Sequence, residues 1–262
     1  MAGQKIDVLE IAVESYRLLF ENFRVYVGLA RWPFLFLAGM ACLLMALDHA
    51  GLTLAAGWVF SAIEAMVIIP VATAWHRLVL LGFGDPTVRS DYSFDWEEWL
   101  YIKRSLVLLA TWAAGAIAFY LAIDWALKVI LNEITALLLL PVWLYLTALF
   151  TRLCLTLPAA AIGKFLSLRD AFAATEGNTG RVALLYLLIS LPPGLAYLQL
   201  YLMIDSAEGD TETLSLANFL QLVIGMVPGF LLVAVYVAAL SLIYRQLFLA
   251  PPPAPAGNGT VS

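Results

Sequence analysis

Residues 61–77 constrain this chain more than any other stretch: Ser-Ala-Ile-Glu-Ala-Met-Val-Ile-Ile-Pro-Val-Ala-Thr-Ala-Trp-His-Arg. They stay apolar for longer than a soluble core helix needs. They hold one carboxylate, Glu64, near the middle, and they end in Trp75, His76 and Arg77. A helix crosses a bilayer with about 20 mostly apolar residues, and aromatic and basic residues gather at its ends. On that reading Trp75, His76 and Arg77 mark the water boundary, and Glu64 lies deep in hydrocarbon. Further stretches of the same kind make six candidate spans, at roughly 31–48, 55–77, 104–123, 134–157, 182–204 and 216–244.

Composition agrees. The chain of 262 residues is 63% hydrophobic and 13% charged, with a mean hydropathy of +0.91. Soluble domains are about 45–50% apolar and about 25% charged. Lipid is therefore the expected solvent. The expected fold is an all-α polytopic membrane helix bundle: six transmembrane helices as three hairpins, in one domain over 1–249, with residues 250–262 a Pro-rich tail. Loops near 48–54, 124–133 and 205–213 contain one basic residue, Lys128, and the other Lys and Arg residues fall on the opposite side. By the positive-inside rule both termini are expected in the cytoplasm.

Residues 1–24 carry acids throughout and lack the continuous apolar core of a signal peptide. Asp7, Glu10, Glu14, Arg17 and Glu21 recur every three or four positions, with Leu9, Val13, Tyr16, Leu19, Phe20 and Phe23 on the other side. This pattern predicts an amphipathic helix along the cytoplasmic surface. A mostly acidic stripe gains little from anionic lipid, so it is expected to pack on the chain's own basic loops, at Lys103 and Arg104. A protein partner docking on the stripe is the alternative.

Further along, 82–98 reads as a Gly/Pro turn followed by an interfacial acidic and aromatic segment. Gly115 with Ala113, Ala114 and Ala116 predicts an inward face on the third span. Ser167-Leu168-Arg169-Asp170 has the form of a helix cap, and Gly177-Asn178 can close the helix that follows. Pro192-Pro193-Gly194 and Gly225-Met226-Val227-Pro228-Gly229 predict a kink or unwinding in the fifth and sixth spans. Gly225 and Gly229 also suggest a close-contact pair. Spans two, four and six each end in an aromatic near an arginine, at Arg77, Arg152 and Arg245, and Asn22 and Asn178 precede spans one and five. Three parallel repeat units follow, at 25–83, 84–163 and 164–249.

Motifs for enzymatic work are missing: no GxSxG, no P-loop and no HExxH occurs. His49 and His76 fall on opposite sides of the predicted membrane, as do Cys42 and Cys154, so neither a shared metal nor a disulfide is expected. No catalytic residue, cofactor, metal or nucleic-acid partner is expected. The candidate intramembrane polar site is Glu64 with Ser61, Pro192, Pro193, Gly194, Gly225, Pro228 and Gly229. Ionisable side chains in mid-span usually face the bundle interior, and without a Lys or Arg at its depth Glu64 is expected to be a neutral carboxyl. The candidate interface is Asp7, Glu10, Glu14, Glu21, Trp75, His76 and Arg77.

Tyr16, Phe20 and Asn22 before span one, Trp75-His76-Arg77-Leu78 with Leu81-Gly82, and Ser167-Leu168-Arg169-Asp170-Ala171-Phe172 with Glu176-Gly177-Asn178 resemble a group of bacterial membrane proteins. The group includes YciC-like proteins and the membrane domain attached to some glycerophosphodiester phosphodiesterases. Nothing in the chain matches the phosphodiesterase catalytic domain. The resemblance implies six helices in a bacterial inner membrane and no catalytic residues. The expected role is non-enzymatic: binding the lipid bilayer and a cytoplasmic-face protein partner, as an organising component of the envelope. The competing expectation is a small-solute or ion transporter centred on Glu64 and the broken helices.

Overall fold

Asp7 starts the first helix by accepting the Glu10 amide on its carboxylate at 3.1 Å, so α1 runs Val8–Glu21. The computed structural model describes residues 5–49, 56–83, 96–130, 133–205 and 216–249. After α1 come α2 (Phe23–His49), α3 (Ala56–Leu81), α4 (Trp96–Ile130), α5 (Glu133–Cys154), α6 (Thr156–Ala161), α7 (Leu168–Ala174), α8 (Thr179–Asp205) and α9 (Leu216–Tyr244). A π-helical turn, Arg245–Leu249, extends α9. The expected segments within 84–95 and 250–262 lie outside the described residues.

Six of these helices are long and apolar enough to cross a membrane, and each overlaps one of the expected spans. The chain is an all-α, multi-pass membrane protein. Sequential helices α2/α3, α4/α5 and α8/α9 pack as hairpins, joined mainly where α5 meets α8 and where α3 meets α9. The last of these helices is central: 61% of the span in α9 is buried, against 6% of the span in α4. Exposed Ile117, Tyr120 and Leu121 on α4, and Leu195, Leu198 and Leu202 on α8, form the apolar surface that lipid covers.

The tightest packing gathers at one end. Arg77 meets Glu98 at the start of α4, Arg104 lies over Phe165, Arg181 donates to the Ile6 carbonyl, and Gln246 donates to that of Lys5. We call this the basic end. Three short helices close it. Residues of α6 (Thr156, Pro158 and Ala159–Ala161) are all buried, and their small side chains let it wedge against α3, α4 and α9. Gly163, at φ +68°, ends α6, with its N–H on the Ala160 carbonyl and that of Lys164 on Ala159. Helix α7 begins as its sequence predicts: Ser167 Oγ accepts the Asp170 amide at 3.0 Å, and Gly177 takes φ +78° after the helix ends.

The third short helix is α1. Ile6 N–H donates to Asn178 Oδ1 at 3.1 Å, and Tyr16 O–H donates to the Ile189 carbonyl at 2.7 Å. From Ile6 to Tyr16 the chain thus keeps pace with Asn178 to Ile189. The two helices run side by side, and α1 fills the groove between α8 and α9. Ile11, Ala12, Ser15 and Leu19 face that groove. Leu9, Val13 and Phe20 remain exposed on a second face, beside the acidic stripe. The expected packing of the stripe on Lys103 and Arg104 does not occur. Lys103 lies over Trp96 and Arg104 over Phe165, and the core contact of α1 uses its aliphatic side instead.

Two further expectations are corrected. The expected unwinding is absent, since α8 stays helical through Pro192 and Pro193 and α9 through Pro228, and a kink is the form that the prolines leave open. Within hydrocarbon no water stabilises an opened turn, so a helix that loses one or two amide donors keeps the rest of its ladder. The small-residue face of the third span is not inward either. Gly115 and Ala114 are exposed, because α4 sits at the rim of the bundle.

Candidate functional site

The mid-span candidates are not brought together as a polar site. Glu64 is half-buried on α3, and among the described residues its carboxylate has no hydrogen-bond or ion-pair partner. The side chain of Ser61 lies outside the described residues. Pro193 and Pro228 are buried, while Pro192, Gly194 and Gly229 are exposed on the outer surface. Gly225 is half-buried, where an added Cβ would sit 3.9 Å from Tyr197 on α8, whereas Gly229 meets nothing within 4 Å. These two glycines therefore do not form the expected close-contact pair.

Buried polar chemistry collects at the basic end. Trp75 and His76 are fully buried there and do not mark a water boundary. The short helices cover this end, so residues at the close of a span become core. Trp75 Nε1–H donates to the Ala234 carbonyl at 3.0 Å, and its ring packs edge-on against Tyr26 and Phe83. Tyr26 O–H donates to the Phe230 carbonyl at 2.6 Å. Ser241 Oγ lies 2.9 Å from the Val237 carbonyl and 2.7 Å from His76 Nδ1, so this hydroxyl joins the imidazole to α9. The imidazole ring packs against that of Tyr101.

Arg152 is the centre of the largest network. Only 4% of this residue is exposed. Its Nε donates to Thr175 Oγ1 at 2.7 Å, Nη1 to Thr179 Oγ1 at 2.7 Å, and Nη2 to the Phe172 carbonyl at 2.6 Å. The guanidinium also lies 3.7 Å above the Phe172 ring. One side chain of α5 thereby ties down α7 and the first turn of α8. No carboxylate among the described residues lies within ion-pair distance of it.

Arg77, Arg152 and Arg245, which the expected repeat would make equivalent, have different surroundings. Arg77 pairs with Glu98 at 3.4 Å, Arg152 is buried among neutral acceptors, and Arg245 is exposed. Sequence reading marks Arg152 only as a span end. The signal that singles it out is a pair of hydroxyls, Thr175 and Thr179, flanking the Gly177-Asn178 turn that the cap pattern already places beside a span.

On α1, Asp7 serves as the N-cap, and Arg17 lies between Glu14 at 3.3 Å and Glu21 at 2.9 Å. The hydrogen bond to Glu21 and the charges of both acids hold the Arg17 guanidinium above its ordinary range. Burial does the same to the phenol of Tyr16, so it stays neutral and donates to Ile189. Among the described residues no cluster of His, Cys, Asp and Glu is suited to a metal, and Cys42 and Cys154 are unbridged. No protein-family model, curated protein or solved structure matches the chain.

Proposed function

We propose that this chain is a non-enzymatic binding or organising component of a bacterial inner membrane, with both termini and its basic end in the cytoplasm. One observation carries this reading: α1 inserts Ile11, Ala12, Ser15 and Leu19 into the core and thereby leaves Asp7, Glu10, Glu14 and Glu21 on a net acidic face, in which Arg17 is the one cation, paired with Glu14 and Glu21, while Lys103 and Arg104 lie over Trp96 and Phe165. A fixed acidic face beside exposed Leu9, Val13 and Phe20 is suited to a basic protein partner at the membrane surface. Sorting of Lys and Arg onto one side supports the orientation. The resemblance of Trp75-His76-Arg77-Leu78 and the Ser167–Asn178 stretch to YciC-like proteins is the support for a bacterial inner membrane. The helical continuity of α8 and α9 through their prolines favours this reading over a transporter built on unwound helices.

Photocrosslinking in intact cells tests the proposal. A crosslinker at Glu10 or Glu21 should trap a discrete protein adduct, one at Val13 should trap lipid, and the combined change Glu10→Lys, Glu14→Lys, Glu21→Lys should abolish the protein adduct while the chain still accumulates. Identical adducts from Val13 and Glu21, or a protein adduct that survives charge reversal, would rule out an acidic docking face.

A further inference from the structure

Arg152 poses a physical question that its hydrogen bonds do not answer. A buried charge is costly unless an opposite charge or a metal compensates it. Here three of the five guanidinium N–H groups go to two hydroxyls and a carbonyl, all neutral, and two remain unassigned among the described residues. The guanidinium does not face a closed core. It lines a cleft of about 760 Å³ together with Tyr145, Arg169, Phe172, Glu176 and Thr179. Arg169 and Glu176 are exposed at the rim, and neither forms an ion pair among the described residues. The cleft therefore has two cations against one carboxylate. Thr179 opens α8, which adds the positive end of a helix dipole beside Arg152.

The cleft also has an apolar neighbour. A groove of about 300 Å³ runs between α4 and α5, lined by Trp112, Gly115, Ala116, Leu146, Leu149 and Phe150. Leu153 and Phe172 belong to both, so the polar cleft and the apolar groove are contiguous. The groove lies on the rim of the bundle, where α4 is exposed to lipid. A free oxyanion would occupy only the first half of this arrangement. A hydrocarbon chain alone would leave Arg152 uncompensated.

We infer that the cleft at Arg152 and the groove between α4 and α5 form one binding site for an anionic phospholipid, with the headgroup phosphate at Arg152 and Arg169 and an acyl chain along Gly115 and Leu149. The phosphate supplies a directly bonded anion, where Glu176 acts on Arg152 only from beyond ion-pair distance, and a guanidinium with two N–H groups to spare suits a phosphate oxygen pair. Phe172 lines both halves and carries the guanidinium over its ring. The site is independent of the acidic face of α1, so its failure would leave the photocrosslinks of that face unaffected.

Native mass spectrometry of the full chain in micelles tests this, with phosphatidylglycerol, phosphatidylcholine and inorganic phosphate as the probes. Phosphatidylglycerol should bind more tightly than phosphatidylcholine. Arg169→Gln removes one rim cation without touching the Arg152 hydrogen bonds, and should weaken phosphatidylglycerol about fivefold. Gly115→Leu should also weaken it, by filling the groove from a position where an added Cβ meets nothing within 4 Å. Equal affinity for the two lipids, or phosphatidylglycerol binding unchanged in both variants, would overturn the assignment. Displacement of phosphatidylglycerol by millimolar phosphate, with Gly115→Leu without effect, would reassign the cleft to a soluble oxyanion and sink the lipid reading.

Discussion

Two regions of this molecule carry unusual residues for a membrane span, and only one of them is organised. At mid-span, Glu64 has no described partner, and Pro192, Gly194 and Gly229 look outward. At the basic end, Trp75, His76, Tyr26 and Arg152 are each buried and each hydrogen-bonded to another helix. An odd residue in an apolar run is thus a weaker guide than its neighbours. A polar atom in a low-dielectric setting needs a partner, and the partners here come from other helices: α9 for Trp75, His76 and Tyr26, and α7 with the start of α8 for Arg152.

Substitutions should separate the two regions, and unfolding in detergent micelles would measure them. Trp75→Ala should have the largest effect, a loss of about 4 kcal/mol, because it empties a fully buried site and removes the indole hydrogen bond to the Ala234 carbonyl. Arg152→Gln should cost about 3 kcal/mol by releasing α7 and the start of α8 together. Arg152→Lys should recover less than half of that, since an ammonium cannot span three acceptors in a plane. Tyr26→Phe, which removes only the hydroxyl bonded to Phe230, should cost about 1 kcal/mol. Glu64→Gln should stay within about 0.5 kcal/mol of the parent. A Glu64→Gln loss as large as that of Arg152→Gln would break the contrast between the regions.

The sequence makes the hairpins, the Ser167 cap and the Gly177 stop legible, because each depends on residues close together in the chain. Hydropathy reports that a segment prefers oil, and it does so for all six spans. It does not report which face another helix covers. For that reason Trp75 and His76, placed by pattern at a water boundary, are core, and the alanines around Gly115, placed inside, are on the rim. The buried face of α1 was half legible: Leu19 belongs to the apolar side that the stripe implies. Ile11, Ala12 and Ser15 face α8 and α9 because those helices leave a groove there, which no local pattern encodes. Arg152 was invisible for the same reason, since its acceptors come from α7 and α8.

Hydrogen–deuterium exchange of the chain in lipid nanodiscs tests most directly that α1 and α7 belong to the buried basic end. Amides across Ile11–Leu19 of α1 and in the last turn of α7 should exchange as slowly as those of α9 near Ala238, which is fully buried. Exchange of α1 and α7 within seconds, while α9 stays protected, would show them to be loose surface helices and contradict the packing on which the functional proposals stand.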